Sequence, residues 1–132
     1  MCFWSMSGSM SPAIRIGDKV ALVPGRQCRA GDIILYRRGN RLMLHRVVGK
    51  WRGVVITKGD ALDQVDEPVT LRDILGRAVS RERGGVTHSL DSLWSRFLGL
   101  AFCLTVSWVP KLMAILAAVK RLGCERLGLA GL

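Results

Sequence analysis

Serine, histidine and aspartate occur in this chain in an order that could assemble a hydrolytic site. The stretch "SGSMSP", residues 7–12, sets Ser7 and Ser9 on either side of Gly8. His45 stands in the alternating run "LMLHRVV", and Asp60, Asp63 and Asp66 crowd the stretch "GDALDQVD". Serine is a weak nucleophile at neutral pH and needs a base within hydrogen-bond reach and donors for the developing oxyanion. Gly8 lets a substrate backbone come close to Ser9, because it carries no side chain. His45 is the candidate base and the three aspartates are candidates for the group that orients it. Each feature also has a plain structural reading: a Gly-Ser turn, a strand histidine, acidic residues solvating a loop.

Metal and cofactor chemistry finds no footing in the residue pattern. Cys2, Cys28, Cys103 and Cys124 are scattered without a CxxC pair, which speaks against a zinc site and gives no disulfide framework. No nucleotide-binding motif occurs, so no cofactor is implied.

The elements that must position these residues are short strands. "KVALVP" (19–24), "GDIILYRR" (31–38), "RLMLHRVVGKW" (41–51), "GVVITKGD" (53–60) and "ILGRAVSRER" (74–83) read as five of them. Gly39-Asn40 is a two-residue hairpin loop, since both residues tolerate positive φ. A turn near Arg52-Gly53 and a polar loop over 60–68 separate the later strands. The fold class expected is mainly β: a small antiparallel domain over 1–83. Gly, Ser and Thr then accumulate, which predicts a linker over 84–92, and 93–132 reads as a helical apolar tail with Pro110 breaking or kinking it.

The succession "SGSMSPAIRIGDKV", "GDIILYRR", "LHRVV", "ITKGDALDQVD", "ILGRAV" resembles the catalytic domain of type I signal peptidases over about residues 5–79. It is most similar to the branch that uses histidine as base, found in archaea and the endoplasmic reticulum. The resemblance implies a fold of the signal-peptidase and SOS-repressor protease type. It implies Ser9 as nucleophile, His45 as general base, and Asp66 and Asp60 as acidic partners, with Ser7 and the Ser9 N–H forming the oxyanion hole. Met10 and Pro12 would shape the substrate groove. Lys58 lies in the wrong motif for a catalytic lysine and reads as structural or electrostatic. The activity implied is a serine endopeptidase that cuts signal or precursor peptides after small residues. The alternative is an inactive or non-enzymatic module of the same fold that binds a membrane surface.

Members of that family carry a transmembrane helix ahead of the serine motif. Here six residues precede Ser7, so either such a helix lies upstream of this start or the anchor is elsewhere. "FLGLAFCLTVSWVPKLMAILAAV", 97–119, is 23 residues with one charge, Lys111, close to the roughly 20 that a bilayer core requires. Membrane association through 93–122 is therefore expected, with no preferred side, because cations flank both ends. Two other readings stay open for this tail: an interfacial helix pair split at Pro110, and a helix packed on the β domain. On the membrane reading, 93–132 is dispensable for the chemistry.

The net charge of +10 would suit nucleic acid, an anionic membrane or an acidic substrate, or simply a soluble basic surface. No recognition helix or aromatic stacking motif supports nucleic acid. Self-cleaving repressors of the same fold use a lysine base behind a DNA-binding domain, and this chain has neither at the matching positions.

Overall fold

The computed structural model describes residues 1–105 together with 117 and 118. The chain forms β1 (Cys2–Trp4), β2 (Lys19–Pro24), β3 (Ile33–Arg38), β4 (Arg41–Trp51), β5 (Val54–Lys58), β6 (Val69–Thr70), β7 (Ile74–Arg83) and β8 (Val86–Ser89). A single 3-10 turn spans Leu71–Asp73, and residues 93–105 are helical, here called α1. The strands make one antiparallel sheet in the order β1-β2-β7-β3-β4-β5-β6, with β8 added beside β7. The architecture is mainly β with a C-terminal helix, as the strand spacing predicts.

β3 shows why the sheet buries both faces. Ile33, Ile34, Leu35 and Tyr36 are all buried, so the strand reads as a continuous apolar run. Side chains alternate across a strand, so Ile33 and Leu35 join one core cluster with Met10, Ile14, Val20 and Leu44. Ile34 and Tyr36 join another with Cys28, Val47, Val55 and Val69.

The turns explain the register. Gly39 takes φ 59° between β3 and β4, while Arg52 and Gly53 take φ 47° and 78° between β4 and β5. Consecutive left-handed residues at Arg52-Gly53, and a positive-φ glycine at the first loop position at Gly39-Asn40, are the two arrangements that let a two-residue loop follow the strand twist.

One expectation is corrected here. The segment 84–92 is not a plain linker. Gly84 and Gly85, at φ 58° and 79°, close a hairpin, and β8 pairs with β7 from Arg83↔Val86 to Ser80↔Ser89. The Gly-Gly pair was a hairpin signal hidden in a composition that reads as flexible. The short β1 and β6, two or three residues each, also carry too little pattern to be seen in the sequence.

The described part of the tail packs on the β domain. Arg96 Nε lies 3.0 Å from Asp32 Oδ1, and a Cβ on Gly99 would fall 2.3 Å from Arg46 Cζ. Cys103 is buried against Lys58, whose Nζ is 3.5 Å from its Sγ. Burial pushes the Cys103 thiol up to about 11. Pro110, Lys111, Cys124 and the expected kink lie outside the described residues.

Candidate active site

Register alone gathers the first three side chains of the site. His45 on β4 pairs with Ile34 on β3, so it shares a face with Ile34 and with Tyr36 two residues on. Thr57 on β5 pairs with Val47 on β4, which is on that same face. Tyr36, His45 and Thr57, from three adjacent strands, therefore project together, and all three are buried.

The loop after β5 supplies the acid. The Asp66 N–H donates to the Thr57 carbonyl at 2.8 Å, which folds the loop back across the end of β5. Its Oδ2 then lies 2.5 Å from His45 Nδ1 and accepts the Thr57 hydroxyl at 2.8 Å. The Tyr36 hydroxyl is 3.3 Å from the same oxygen and 3.2 Å from Thr57 Oγ1. Burial pushes the Asp66 carboxyl up, but the hydrogen bonds from His45, Thr57 and Tyr36 outweigh it and hold the group below its ordinary range. Burial raises the Tyr36 phenol to about 12, so it stays a neutral donor.

The loop before β2 supplies the candidate nucleophile, Ser9. Ser11 N–H bonds to Gly8 O and Ile14 N–H to Met10 O, winding residues 8–14 into successive turns. Met10 and Ile14 anchor these turns in the core, at 2% and 0% exposure. The Ala61 N–H donates to Ser9 O at 2.9 Å, and a Cβ on Gly59 would fall 2.8 Å from that oxygen, so only glycine allows this approach. Ser9 Oγ lies 3.1 Å from His45 Nε2. A carboxylate only accepts, so His45 Nδ1 carries the hydrogen toward Asp66 and Nε2 presents its lone pair to the Ser9 hydroxyl. Serine, imidazole and carboxylate form one continuous hydrogen-bonded line.

Ser7 stands beside Ser9, its Oγ accepting the Ser9 N–H at 3.2 Å. A small cavity of about 100 Å3 opens next to Ser9 and His45, walled by Phe3, Met6, Met10, Leu42 and Leu44. Pro12 does not belong to it. It lines a separate cavity of about 540 Å3 beneath α1.

Asp60 is also displaced from the role expected of it. Its two carboxylate oxygens accept Arg46 Nε and Nη2 at 2.8 and 2.7 Å, and it is 1% exposed. Arg46 is adjacent to His45 on β4, so its side chain leaves the opposite face of the strand, paired in register with Lys58. Arg46 also donates to Gly31 O at 2.8 Å, so the pair bolts the β5 loop to the sheet rather than acting on His45. Lys58 is fully buried there, donating to Gly59 O. Tyr36 and Thr57, which join this line of groups, went unnoticed in the sequence. The alternation of "GDIILYRR" puts Tyr36 on a buried face, but only the assembled sheet shows what its hydroxyl meets.

Among the described residues no three His, Cys, Asp or Glu side chains converge as metal ligands would. Compared with protein-family models and with curated proteins, the chain matches none.

Proposed function

We propose that this chain is a serine endopeptidase that cleaves signal or precursor peptides after small residues, by a Ser9–His45–Asp66 acyl-enzyme mechanism. The observation that carries this reading is the line from Ser9 Oγ through His45 Nε2 and Nδ1 to Asp66 Oδ2, with steps of 3.1 and 2.5 Å.

Ser9 Oγ attacks the scissile carbonyl carbon as His45 Nε2 takes its proton. The imidazolium so formed is stabilised by Asp66, which remains ionised. The tetrahedral oxyanion takes up hydrogen bonds from the Ser7 hydroxyl and from the Ser9 N–H, which exchanges Ser7 Oγ for the oxyanion as its acceptor. His45 then protonates the leaving amine, and water, activated by the same nitrogen, releases the acyl group.

Two features favour a peptide held in extended form. β4 pairs with β3 over Arg41–Arg46 but with β5 only over Arg46–Trp51, so the β5 side of residues 41–45 has no strand partner among the described residues. An extended peptide can add there as a further strand, beside Ser9. The small apolar cavity would then take a side chain on the acyl side.

The test is cleavage of precursor-type peptides with Ala or Gly before the scissile bond, read by mass spectrometry. The wild-type chain is expected to cut at one bond. Ser9→Ala and His45→Ala should each abolish cutting, with the double variant little worse than either, as groups acting as a unit behave. Processing that persists in Ser9→Ala sinks the assignment.

A further inference from the structure

Helix α1 presents its faces in the reverse of the usual order. A helix on a water-exposed domain turns its apolar stripe inward and its polar face outward. The inward face of α1 instead consists of Arg96, Gly99 and Cys103, at helical spacing, set on Asp32, Arg46 and Lys58. The outward arc carries Leu93, Trp94 and Phe97, exposed by 79%, 69% and 65%, while Leu98 and Phe102 line the cavity beneath the helix. Trp94 and Phe97 stack, with ring centroids 6.4 Å apart.

A basic cleft of about 670 Å3 adjoins the first turn of this helix. Asp32 lines the cleft and pairs with Arg96; Arg77 lines it and pairs with Asp91, just ahead of the helix. Its remaining cations are Arg26, Arg29 and Lys50. Lys50 donates to Cys28 O, and the Arg26 and Arg29 side chains make no ion pair among the described residues. An aromatic apolar arc therefore sits beside a cluster of uncompensated cations.

We propose that the outward face of α1 and the adjoining basic cleft form one surface that lies on an anionic phospholipid bilayer. Leu93, Trp94 and Phe97 enter the interface, while Arg26, Arg29 and Lys50 meet lipid phosphates. Amphipathic aromatic rings settle at this depth, and polybasic segments are drawn to anionic headgroups. Lipid fits better than a second copy of the chain, whose identical cleft would bring like charges together in a chain of net charge +10. The sequence beyond α1 points the same way: residues 106–119 hold one charge and are followed by Lys120 and Arg121. Among the described residues no helix is long and apolar enough to cross a membrane, and α1, tied to the sheet along its inward face, would lie along the surface. This inference does not depend on the peptidase reading.

The test is flotation of the full chain, carrying Ser9→Ala, with neutral phosphatidylcholine vesicles and with vesicles containing phosphatidylglycerol. Binding is expected to favour the anionic vesicles and to weaken with salt. Trp94→Asp/Phe97→Asp should lower it at least tenfold. Arg26→Gln/Arg29→Gln should lower it by about 25-fold on anionic vesicles only, at roughly fivefold per cation. Vesicle binding unchanged in both double variants, or absent in the parent chain, overturns the proposal. So does sedimentation as a lipid-independent dimer that Trp94→Asp/Phe97→Asp dissociates. Cleavage of a soluble peptide by the Trp94→Asp/Phe97→Asp variant, otherwise wild type, should be unchanged, which keeps failure of the surface separate from failure of the peptidase.

Discussion

Thr57 holds Asp66 twice: its carbonyl accepts the Asp66 N–H, and its hydroxyl donates to Asp66 Oδ2, each at 2.8 Å. The first bond fixes where the loop returns; the second fixes how the carboxylate is turned toward His45. The Tyr36 hydroxyl closes the arrangement from β3. On the peptidase reading, these two residues position the acid without touching the substrate.

Loss of either hydroxyl therefore has a distinct signature. Thr57→Val and Tyr36→Phe keep the shape and remove one hydrogen bond, a loss of about 1–2 kcal/mol, or roughly fivefold to thirtyfold in kcat/KM. With one donor fewer, the Asp66 carboxyl is held less far below its ordinary range, so it loses its charge at higher pH. The acid limb of kcat/KM should move to higher pH in both variants. A fall in activity with an unmoved limb would assign Tyr36 and Thr57 to packing alone.

Asp60 and Asp66 should separate cleanly. Asp66→Asn removes the orienting anion and should lower kcat by about 10³-fold or more, with the thermal melt near wild type. Asp60→Asn leaves the Arg46 guanidinium buried without its counter-ion, a cost of about 3–5 kcal/mol. Its main effect should be a lowered melting temperature, with kcat retained in whatever fraction stays folded. The opposite pairing of outcomes would exchange the two roles.

Gly99 tests the docking of α1. Any side chain there meets a guanidinium held by Asp60 and Gly31, so it cannot swing aside cheaply. Gly99→Ala is expected to destabilise by about 1–3 kcal/mol, and larger residues by more. Chemical denaturation measures it directly. A neutral Gly99→Leu would mean that α1 does not rest on Arg46, and that 93–132 is as dispensable as the linker reading implies.

Acid should unfold the chain partly through Asp18. Hydrogen bonds from Arg83 hold its carboxyl at about 2, below its ordinary value of 3.8. A depressed carboxyl stabilises the fold above its unfolded pKa, and that stability is lost as pH falls from near 3.8 toward 2. Asp18→Asn should cost roughly 1–3 kcal/mol near neutral pH and almost nothing near pH 2. Parallel denaturation curves for the two proteins, equally spaced at every pH, would contradict this.

The sequence by itself determined the strands that carry the site. Alternation and turn residues mark β2, β3, β4, β5 and β7, because period-2 burial and left-handed turn positions leave local traces. It also ordered Ser9, His45 and the acidic loop along the chain. Which aspartate meets the histidine was decided only by the tertiary structure. Asp60 and Asp66 are six residues apart on one loop, and their fates depend on which face of β4 each reaches: Arg46 on one, His45 on the other. Tyr36 and Thr57 joined the site through strand register, a long-range property with no local mark. The sequence left the docking of the tail open for a related reason. Apolar composition reports that 93–105 seeks a non-aqueous neighbour, but not which side of the helix does so. Only packing reveals that Arg96, Gly99 and Cys103 turn inward onto the sheet while Trp94 and Phe97 turn out.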